Sequence, residues 1–276
     1  MWTFVSIVVL LLMIIVYFRI PFSPLKSDFN KQVSTLISNT KESTDLFAAE
    51  EVENFPAPVK KYFETCGFIG TPKMSYMKSV HKDVDFLLSA DKPYTKIDYT
   101  QYTFVNEPAR YAFIDTSISG IPFQGVDSYI GGIGGMKGVI AKTFTLFNQT
   151  GAEMDTACLV NVLSECLLVP SIALQDYIVW ESVDDTHAKA AIAYYGISAS
   201  GTFAFSKYGE LISFTTNDRW EVETDGTKTQ APWSMLFSEY EMKNGIRQPT
   251  RFRTVWHYDN GDSVYFDSKN PTIEYH

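Results

Sequence analysis

The first residues of the chain form an apolar run from Trp2 to Phe18 that contains no charged residue. As a helix that rises about 1.5 Å per residue, this run would cover roughly 26 Å, close to the ~30 Å hydrocarbon core of a bilayer. Aromatic residues lie near both of its ends, where the membrane interfaces would be, and Pro21 and Pro24 favour the end of the helix. The pattern predicts a transmembrane anchor over residues 1–24.

A cleaved signal peptide is the alternative for the same segment. No Lys or Arg precedes the run and no Ala-x-Ala sequence follows it, which favours a retained single-pass anchor in the membrane. The side of the membrane stays open at this point. Arg19, Lys26 and Lys31 follow the run, and by the positive-inside rule this flanking charge places the rest of the chain in the cytoplasm.

The segment after the anchor differs from it in being polar. Residues 25–54 carry only a few apolar side chains, at helical spacing, and predict a juxtamembrane helix or stalk. Pro58 is compatible with a first helical turn, so a short helix that ends near Gly67 is expected next.

From residue 73 onward, short aromatic-rich runs alternate with Gly, Pro, Asn and Asp at intervals of about 10 to 14 residues, which is typical of antiparallel β-structure. The alternation is clearest late in the chain, where Phe252, Thr254 and Trp256 share one face of a strand. The predicted strands are 74–88, 94–106, 109–118, 122–131, 136–147, 177–183, 187–195, 199–206, 210–220, 232–242, 247–258 and 262–267.

One segment inside this β-pattern has a helical period instead. Leu159, Leu163 and Leu167 recur at four-residue intervals and form an apolar stripe. Asp155 is the expected N-cap, and Pro170 is expected to end the helix.

The fold class that follows is mainly β (α+β). Residues 55–276 are predicted to form a curved antiparallel sheet or half-open barrel, with the amphipathic helix of residues 155–168 on its concave face.

Composition removes several classes of function. The formal net charge of −9 makes nucleic-acid binding improbable, because an acidic surface repels the phosphate backbone. Cys66, Cys158 and Cys166 form neither a disulfide framework nor a zinc-binding pattern. No metal and no cofactor are therefore expected.

Two short motifs carry candidate chemistry. The glycine cluster at 131–138 lacks the Gly-Lys-Ser/Thr of a phosphate-binding loop and is interpreted as a hairpin turn or bulge. Asp184 and Asp185, with Glu181 and His187 nearby, fit a turn between two strands; the less favoured alternative is an acid–base site of a hydrolase.

The aromatic content of 15% exceeds what a filled core of this size needs, and a curved sheet would leave a hollow for an apolar ligand. Plain core packing is the competing explanation for the same residues. The side chains expected to line the hollow are Leu159, Leu163, Leu167, Phe203, Phe205, Trp220, Trp233 and Trp256.

Three segments in fixed order resemble a widespread, mostly bacterial family known only as a domain of unknown function, whose members tend to carry N-terminal apolar segments. Residues 55–63 match its Leu-Pro-x-Pro-Val-x-Arg-Tyr-Leu motif, with Lys61 in place of the arginine. Residues 161–174 match its helix motif, and residues 180–190 match its Trp-Glu-x-x-Asp-Asp-x-x-Ala block. The match continues after the third segment. The residues that carry the resemblance are Pro58, Tyr62, Glu165, Pro170, Trp180, Asp184 and Asp185 within the three segments, and Arg219 and Tyr240 after them.

The resemblance implies a fold similar to the bacterial lipoprotein carriers, a curved antiparallel sheet closed by a helix over an apolar cavity, and by that analogy an extracytoplasmic domain. This chain departs from the helix motif by having Asn161 in place of an arginine and Leu168 in place of a tryptophan. If Glu165 pairs with that arginine in relatives, it needs another partner here, such as Arg219 or Arg247.

Three functions stay open on this basis. The favoured one is a membrane-anchored, non-enzymatic protein that binds a lipid or other apolar molecule. The second is a structural or partner-binding module of an envelope assembly, whose protein partner is unknown. The third is a hydrolase that uses Asp184 and Asp185.

Overall fold

One antiparallel sheet occupies most of the chain in a computed structural model that describes residues 2–41, 43–88, 93–222 and 226–276. The helices are α1 (Trp2–Arg19), α2 (Pro24–Asn39), a 3-10 helix (Ala49–Val52), α3 (Ala57–Cys66), α4 (Ala152–Ser164) and α5 (Pro170–Ala173). The strands are β1 (Tyr76–Phe86), β2 (Thr95–Phe104), β3 (Ala109–Ile118), β4 (Ile121–Ile130), β5 (Ile133–Ile140), β6 (Phe144–Thr150), β7 (Ile178–Ser182), β8 (His187–Tyr194), β9 (Ile197–Phe205), β10 (Leu211–Thr216), β11 (Trp220–Val222), β12 (Lys228–Gln230), β13 (Trp233–Lys243), β14 (Ile246–Tyr258), β15 (Gly261–Lys269) and β16 (Thr272–Tyr275).

The strand order of the sheet is β6-β5-β4-β3-β2-β1-β15-β14-β13-β10-β9-β8-β7, and β16 pairs with β1 beside β15. Strands β11 and β12 form a separate hairpin. Within the described residues β6 and β7 are edges that do not pair with each other, so the sheet is open. Helix α4 nevertheless contacts β5 near one edge and β9 near the other. The sheet therefore curves around α4, which confirms the predicted curved antiparallel fold and excludes a closed barrel.

Helix α2 packs on the opposite face of the sheet from α4. Ser23 caps its first turn by accepting a hydrogen bond from the Lys26 backbone N–H (3.2 Å). Phe29 lies at 5.2 Å between ring centroids from both Tyr111 and Phe113, which alternate with the inward-facing residues of β3. The segment predicted as a juxtamembrane helix or stalk therefore begins with a helix that is bound to the sheet.

Helix α1 differs from every other helix that the structure describes in having no buried residue. The N-terminal helical segment contains an 18-residue window with a mean hydropathy of 2.6, long and apolar enough to span a membrane. A helix that is apolar on all sides is expected in lipid rather than in water. The predicted anchor thus has the length and composition that a membrane span requires.

The turn between β5 and β6 corrects one predicted strand. Residues 136–147 were expected to form a single strand, but Ala141 and Lys142 take positive φ values of 51° and 62° and reverse the chain. The Lys142 ammonium group donates hydrogen bonds to the backbone carbonyls of Tyr17 (3.0 Å) and Ile20 (2.5 Å). These hydrogen bonds to the end of α1 stabilise a turn that contains no glycine or proline.

The glycine cluster at 131–138 begins with a hairpin turn, as predicted, and its later glycines lie in β5. Gly131 and Gly132, with φ of 61° and 82°, connect β4 to β5 in a two-residue turn. Gly134 has a different role, because a Cβ atom there would lie 2.3 Å from the carbonyl oxygen of Met154. This glycine lets the start of α4 rest directly on the sheet.

Several other boundaries differ from the sequence predictions. Helix α4 begins after Gly151 and ends at Ser164. Asp155 is therefore not its N-cap but lies within the first turns, where its side chain accepts a hydrogen bond from the Gly134 backbone N–H (2.7 Å). Pro170 opens α5 and does not end α4. The strand predicted over 210–220 is divided into β10 and β11, and β12 and β16 have no counterpart in the prediction. Helix α3 ends at Gly67 as expected, with φ of 77° at this C-cap.

Candidate functional site

A cavity of about 140 Å³ lies between the concave face of the sheet and α4. Its wall is mainly apolar. One side is formed by Phe86, Ile114 and Met136 from β1, β3 and β5, and the other side is formed by side chains of β13 and β14 such as Met235 and Phe252.

Helix α4 presents a mixed stripe of side chains to this cavity. Asn161, Ser164, Glu165 and Leu168 line the cavity, and their spacing of three and four residues places them on one side of the helix and of the turn that follows it. Both positions at which the chain departs from the family's helix motif belong to this stripe.

Arg110 is the centre of a buried polar network at one end of the cavity. Its Nε donates to Glu165 Oε1 at 3.1 Å, and its Nη1 donates to Asp127 Oδ2 at 2.6 Å. The side chains of Arg110 and Glu165 are only 8% and 6% exposed. The partner of Glu165 is therefore Arg110, and neither Arg219 nor Arg247, the two arginines suggested as replacements for the one that the family motif has at position 161.

The remaining hydrogen-bonding atoms of this network come from β2. Gln101 Nε2 and Thr103 Oγ1 donate to Glu165 Oε2 at 2.6 and 3.0 Å, and Arg110 Nη2 donates to Gln101 Oε1 at 2.7 Å. Burial, with a smaller contribution from the charge of Asp127, raises the pKa of Glu165, while Arg110 and the Thr103 hydroxyl oppose that rise. Because the members of the network bind one another, it stabilises the fold and leaves few free groups for chemistry.

His81 also lines the cavity and is neutral over the ordinary pH range. Its Nδ1 lies 2.7 Å from Ser268 Oγ and its Nε2 lies 3.2 Å from Ser79 Oγ. Burial, with a contribution from the charge of Arg110, lowers the pKa of His81 to about 3. A histidine with so low a pKa is a poor general base near neutral pH.

Arg219 is the second guanidinium group at the cavity. It lies 4.5 Å from the ring centroid of Trp233 and 5.6 Å from that of Trp256, so both rings contribute cation–π attraction. Its Nη1 donates to Asn161 Oδ1 and, at 3.4 Å, to the carbonyl oxygen of Ala157. Its partners in the described part of the chain are thus neutral.

The side chains predicted to line the hollow lie in three different places in the structure. Trp233 lines the cavity, and Trp256 lies just behind it against Arg219. Trp220 is partly exposed on the β11–β12 hairpin. The other five are buried in the packed core on the far side of α4 and are not among the described residues that line the cavity: Leu159, Leu163, Leu167, Phe203 and Phe205.

Several family-motif residues have structural contacts that explain their positions. The Tyr62 hydroxyl donates to the Leu167 carbonyl at 2.7 Å, and so joins α3 to the segment after α4. Trp180 Nε1 donates to the carbonyl of Ala173 at 3.1 Å, and the Tyr240 hydroxyl donates to that of Leu211 at 2.9 Å. Pro58 and Pro170 lie in the first turns of α3 and α5.

Asp184 and Asp185 lie in an exposed turn between β7 and β8, away from the cavity. Asp184 accepts hydrogen bonds from the backbone N–H of Thr186 (2.7 Å) and lies 2.9 Å from His187 Nδ1. The Thr186 N–H, followed by His187, lowers the pKa of Asp184 to about 2. These contacts are ordinary turn chemistry.

The three cysteines are free and buried. Burial raises the pKa of Cys66 to about 12, which suppresses the reactive thiolate, and also raises those of the other two thiols. Among the residues that the structure describes, no group of three His, Cys, Asp or Glu side chains is arranged to hold a metal ion.

Sequence reasoning missed most of the polar side of the cavity, above all Arg110, Asp127 and Gln101. The available signal was the alternation along β2, which places Tyr99, Gln101 and Thr103 on one face. Polar side chains on an inward-facing stripe indicate a buried network, but only the strand order shows that Arg110 and Glu165 complete it.

The chain belongs to the family of unknown function DUF6544, whose model matches residues 45–268. The expected membership of an uncharacterised family is thereby confirmed. No curated protein matches the chain.

Solved structures that resemble this one include a LolA superfamily protein from Nitrosomonas europaea, with a TM-score of 0.41 and 10% identity over 79% of this chain and 93% of that one. An outer membrane lipoprotein-sorting protein domain from Vibrio parahaemolyticus gives a TM-score of 0.38 and 10% identity over 73% and 84% of the two chains. A DUF1329 family protein from Desulfovibrio piger gives 0.32 and 12% identity over 79% and 93%.

Proposed function

We propose that the protein is a membrane-anchored, non-enzymatic binding protein for a lipid or another apolar ligand. The observation that carries the proposal is the cavity itself, which lies between the curved sheet and α4 and has a mainly apolar wall. Buried hollows of this kind, with a few polar groups at one end, are typical ligand sites.

The size of the cavity limits what it holds in this conformation. A volume of about 140 Å³ is near that of a protein cavity of about 150 Å³ that binds benzene. One ring or one short stretch of acyl chain would fill it, and the rest of a larger lipid would have to lie outside or widen the space between α4 and the sheet.

The N-terminal helix supports a site close to the bilayer. If α1 spans the membrane, as its length and hydropathy favour, the Lys142 contact with its last turn holds the β domain beside the lipid surface. Attachment at the source of an apolar ligand raises its effective concentration at the site. We propose residues 1–24 as the anchor, 25–54 as the juxtamembrane segment and 55–276 as the binding domain.

The absence of an enzymatic role is supported by the chemistry of the cavity. The carboxylates of Asp127 and Glu165 are both bound to Arg110, and His81 has too low a pKa to accept a proton near neutral pH. Asp184, the best acid–base candidate from the sequence, lies in an exposed turn outside the cavity.

Photolabelling of the full chain in lipid nanodiscs tests this function. A fatty acid that carries a photoactivatable diazirine would be added and the labelled peptides mapped by mass spectrometry. We expect label on α1, which contacts the bilayer directly, and also on cavity residues such as Met235. Label confined to α1, together with crosslinking to a stoichiometric protein partner, would instead favour a structural or partner-binding module.

A matched pair of variants at one cavity position provides the control. Ser164→Leu places a larger apolar side chain in the cavity, whereas Ser164→Ala leaves the space open. Both variants should keep the α1 label, and only Ser164→Leu should lose the cavity label. Equal cavity labelling of the two variants would show that the probe reacts with the outer surface.

A further inference from the structure

We infer that Arg219 is an anion-binding group, so that the ligand of the cavity is an amphiphile with a carboxylate or phosphate head and a short apolar part. This inference rests on the proposed binding function and specifies the chemical class of the ligand. It begins from the different partners of the two guanidinium groups that line the cavity.

Arg110 has its charge compensated by two carboxylates and four of its five N–H groups bound within the protein. It binds the carboxylates of Asp127 and Glu165, the Tyr99 hydroxyl and the Gln101 amide oxygen, and these contacts use its Nε and both terminal nitrogens. A buried arginine with two carboxylates is compensated within the protein.

Arg219 has a charge that nothing in the described part of the chain compensates. Its ion-pair partner would have to be a carboxylate, but its hydrogen bonds go to an amide oxygen and a backbone carbonyl. Its Nε is buried and has no hydrogen-bond partner among the described residues. Trp233 and Trp256 hold the guanidinium plane in place by cation–π contact. A fixed guanidinium with a free N–H is suited to bind a carboxylate or phosphate in a bidentate manner.

A second orphaned polar atom lies on the same wall. Thr254 lines the cavity, and its Oγ1 is buried without a hydrogen-bond partner among the described residues. Thr254 is two residues from Trp256 on β14, on the same face of the strand. A ligand head group held by Arg219 would have this hydroxyl as a second donor, while Met235 and Phe252 would contact its apolar part.

The test compares ligands that share one apolar part and differ in their head. Hexanoate, hexyl phosphate and 1-hexanol would each be titrated calorimetrically into the full chain in phosphatidylcholine nanodiscs, with empty discs as the blank. We expect at least one anion to bind about tenfold to a hundredfold more tightly than the alcohol, the range for a charge-assisted hydrogen-bonded pair. A preference for hexanoate indicates a free acid as ligand, and a preference for hexyl phosphate indicates a phosphate ester.

Arg219→Gln should remove the preference for the anions and leave the affinity for 1-hexanol within about twofold, because the apolar wall is unchanged. Arg251→Gln, which removes a surface guanidinium bound to Asp267 (2.8 Å), should keep the full preference. Equal affinities of the wild-type chain for all three ligands would overturn the role of Arg219 and leave the cavity function intact. Failure of all three to bind would contradict the binding function as well.

Discussion

Helix α4 has two sides with opposite surroundings. Leu159 and Leu163 face a solid core in which their side chains are completely buried. Asn161 and Glu165, each two residues away along the chain, face the cavity and its polar network. The apolar side fastens the helix to the sheet, and the mixed side determines what the enclosed space can hold. An amphipathic helix inside a curved sheet therefore need not direct its most apolar side to the cavity.

Removing the charge of Arg110 at the centre of the network should lower the free energy of unfolding more than any other substitution considered. Arg110→Met leaves the buried carboxylates of Glu165 and Asp127 without their cation, and we expect the free energy of unfolding to fall by about 3–5 kcal/mol. Urea denaturation followed by tryptophan fluorescence measures this. Arg251→Met is the surface control, with an expected loss below about 1 kcal/mol. Similar losses for the two variants would mean that the network is hydrated like the surface.

Two leucine-to-alanine substitutions compare the sides of the helix region directly. Leu163→Ala opens a void in the solid core, and we expect a loss of about 3 kcal/mol with no change in ligand binding. Leu168 already borders the cavity, so Leu168→Ala should cost about 2 kcal/mol or less and should admit a ligand with a longer apolar part. The same denaturation assay and a ligand chain-length series give both results. The comparison fails if Leu168→Ala lowers the free energy of unfolding more than Leu163→Ala does, or if it does not increase the length of the apolar ligand chain that the cavity accepts.

Lowering the pH should destabilise the folded protein through His81, which lines the cavity. In the unfolded chain this histidine has a pKa near 6.5, but in the folded chain its pKa is about 3. Between these values the unfolded state binds the extra proton, so the free energy of unfolding falls as the pH is lowered, by about 1.6 kcal/mol from pH 6.5 to pH 5. His81→Gln should show a pH dependence that is shallower by this amount, because all other titrating groups are the same. Parallel pH curves for the two proteins would argue against a neutral, buried His81.

The smallest effect on stability and ligand binding is expected for a substitution in the β7–β8 turn, which is remote from both sides of α4. Asp184→Asn keeps an oxygen that can accept the hydrogen bond of the Thr186 N–H, so the melting temperature and ligand binding should hardly change. Thermal unfolding and the photolabelling assay measure this, with Asp185→Asn as the neighbouring control. Loss of a cellular activity in Asp184→Asn without a loss of stability would revive the hydrolase hypothesis.

The sequence predicts those parts of the fold whose signals are local. The apolar run at the N-terminus, the alternation in the strands and the glycines at 131–132 each act within a few residues. The turn at Ala141 and Lys142 escaped prediction because its stabilising partners are the carbonyls of Tyr17 and Ile20, more than a hundred residues earlier.

The polar half of the cavity could not be predicted for a related reason. Glu165 was identified from the family motif, but its partner Arg110 lies 55 residues earlier on β3. Nothing within either segment indicates the other. Only the strand order brings the two charges to one place, because it puts β2 and β3 side by side in the part of the sheet that α4 covers.

Lys142 in the β5–β6 turn has a consequence for the orientation of the β domain relative to α1. The last carbonyls of a helix have no partners within it and normally bind water, but two carbonyls at the end of α1 accept hydrogen bonds from Lys142. The tether is thereby coupled to the edge of the sheet, which restricts swivelling about residues 20–23. If α1 is the proposed membrane anchor, the domain would keep a constant tilt toward the lipid surface, and a ligand exchanged with the bilayer would follow one fixed approach direction.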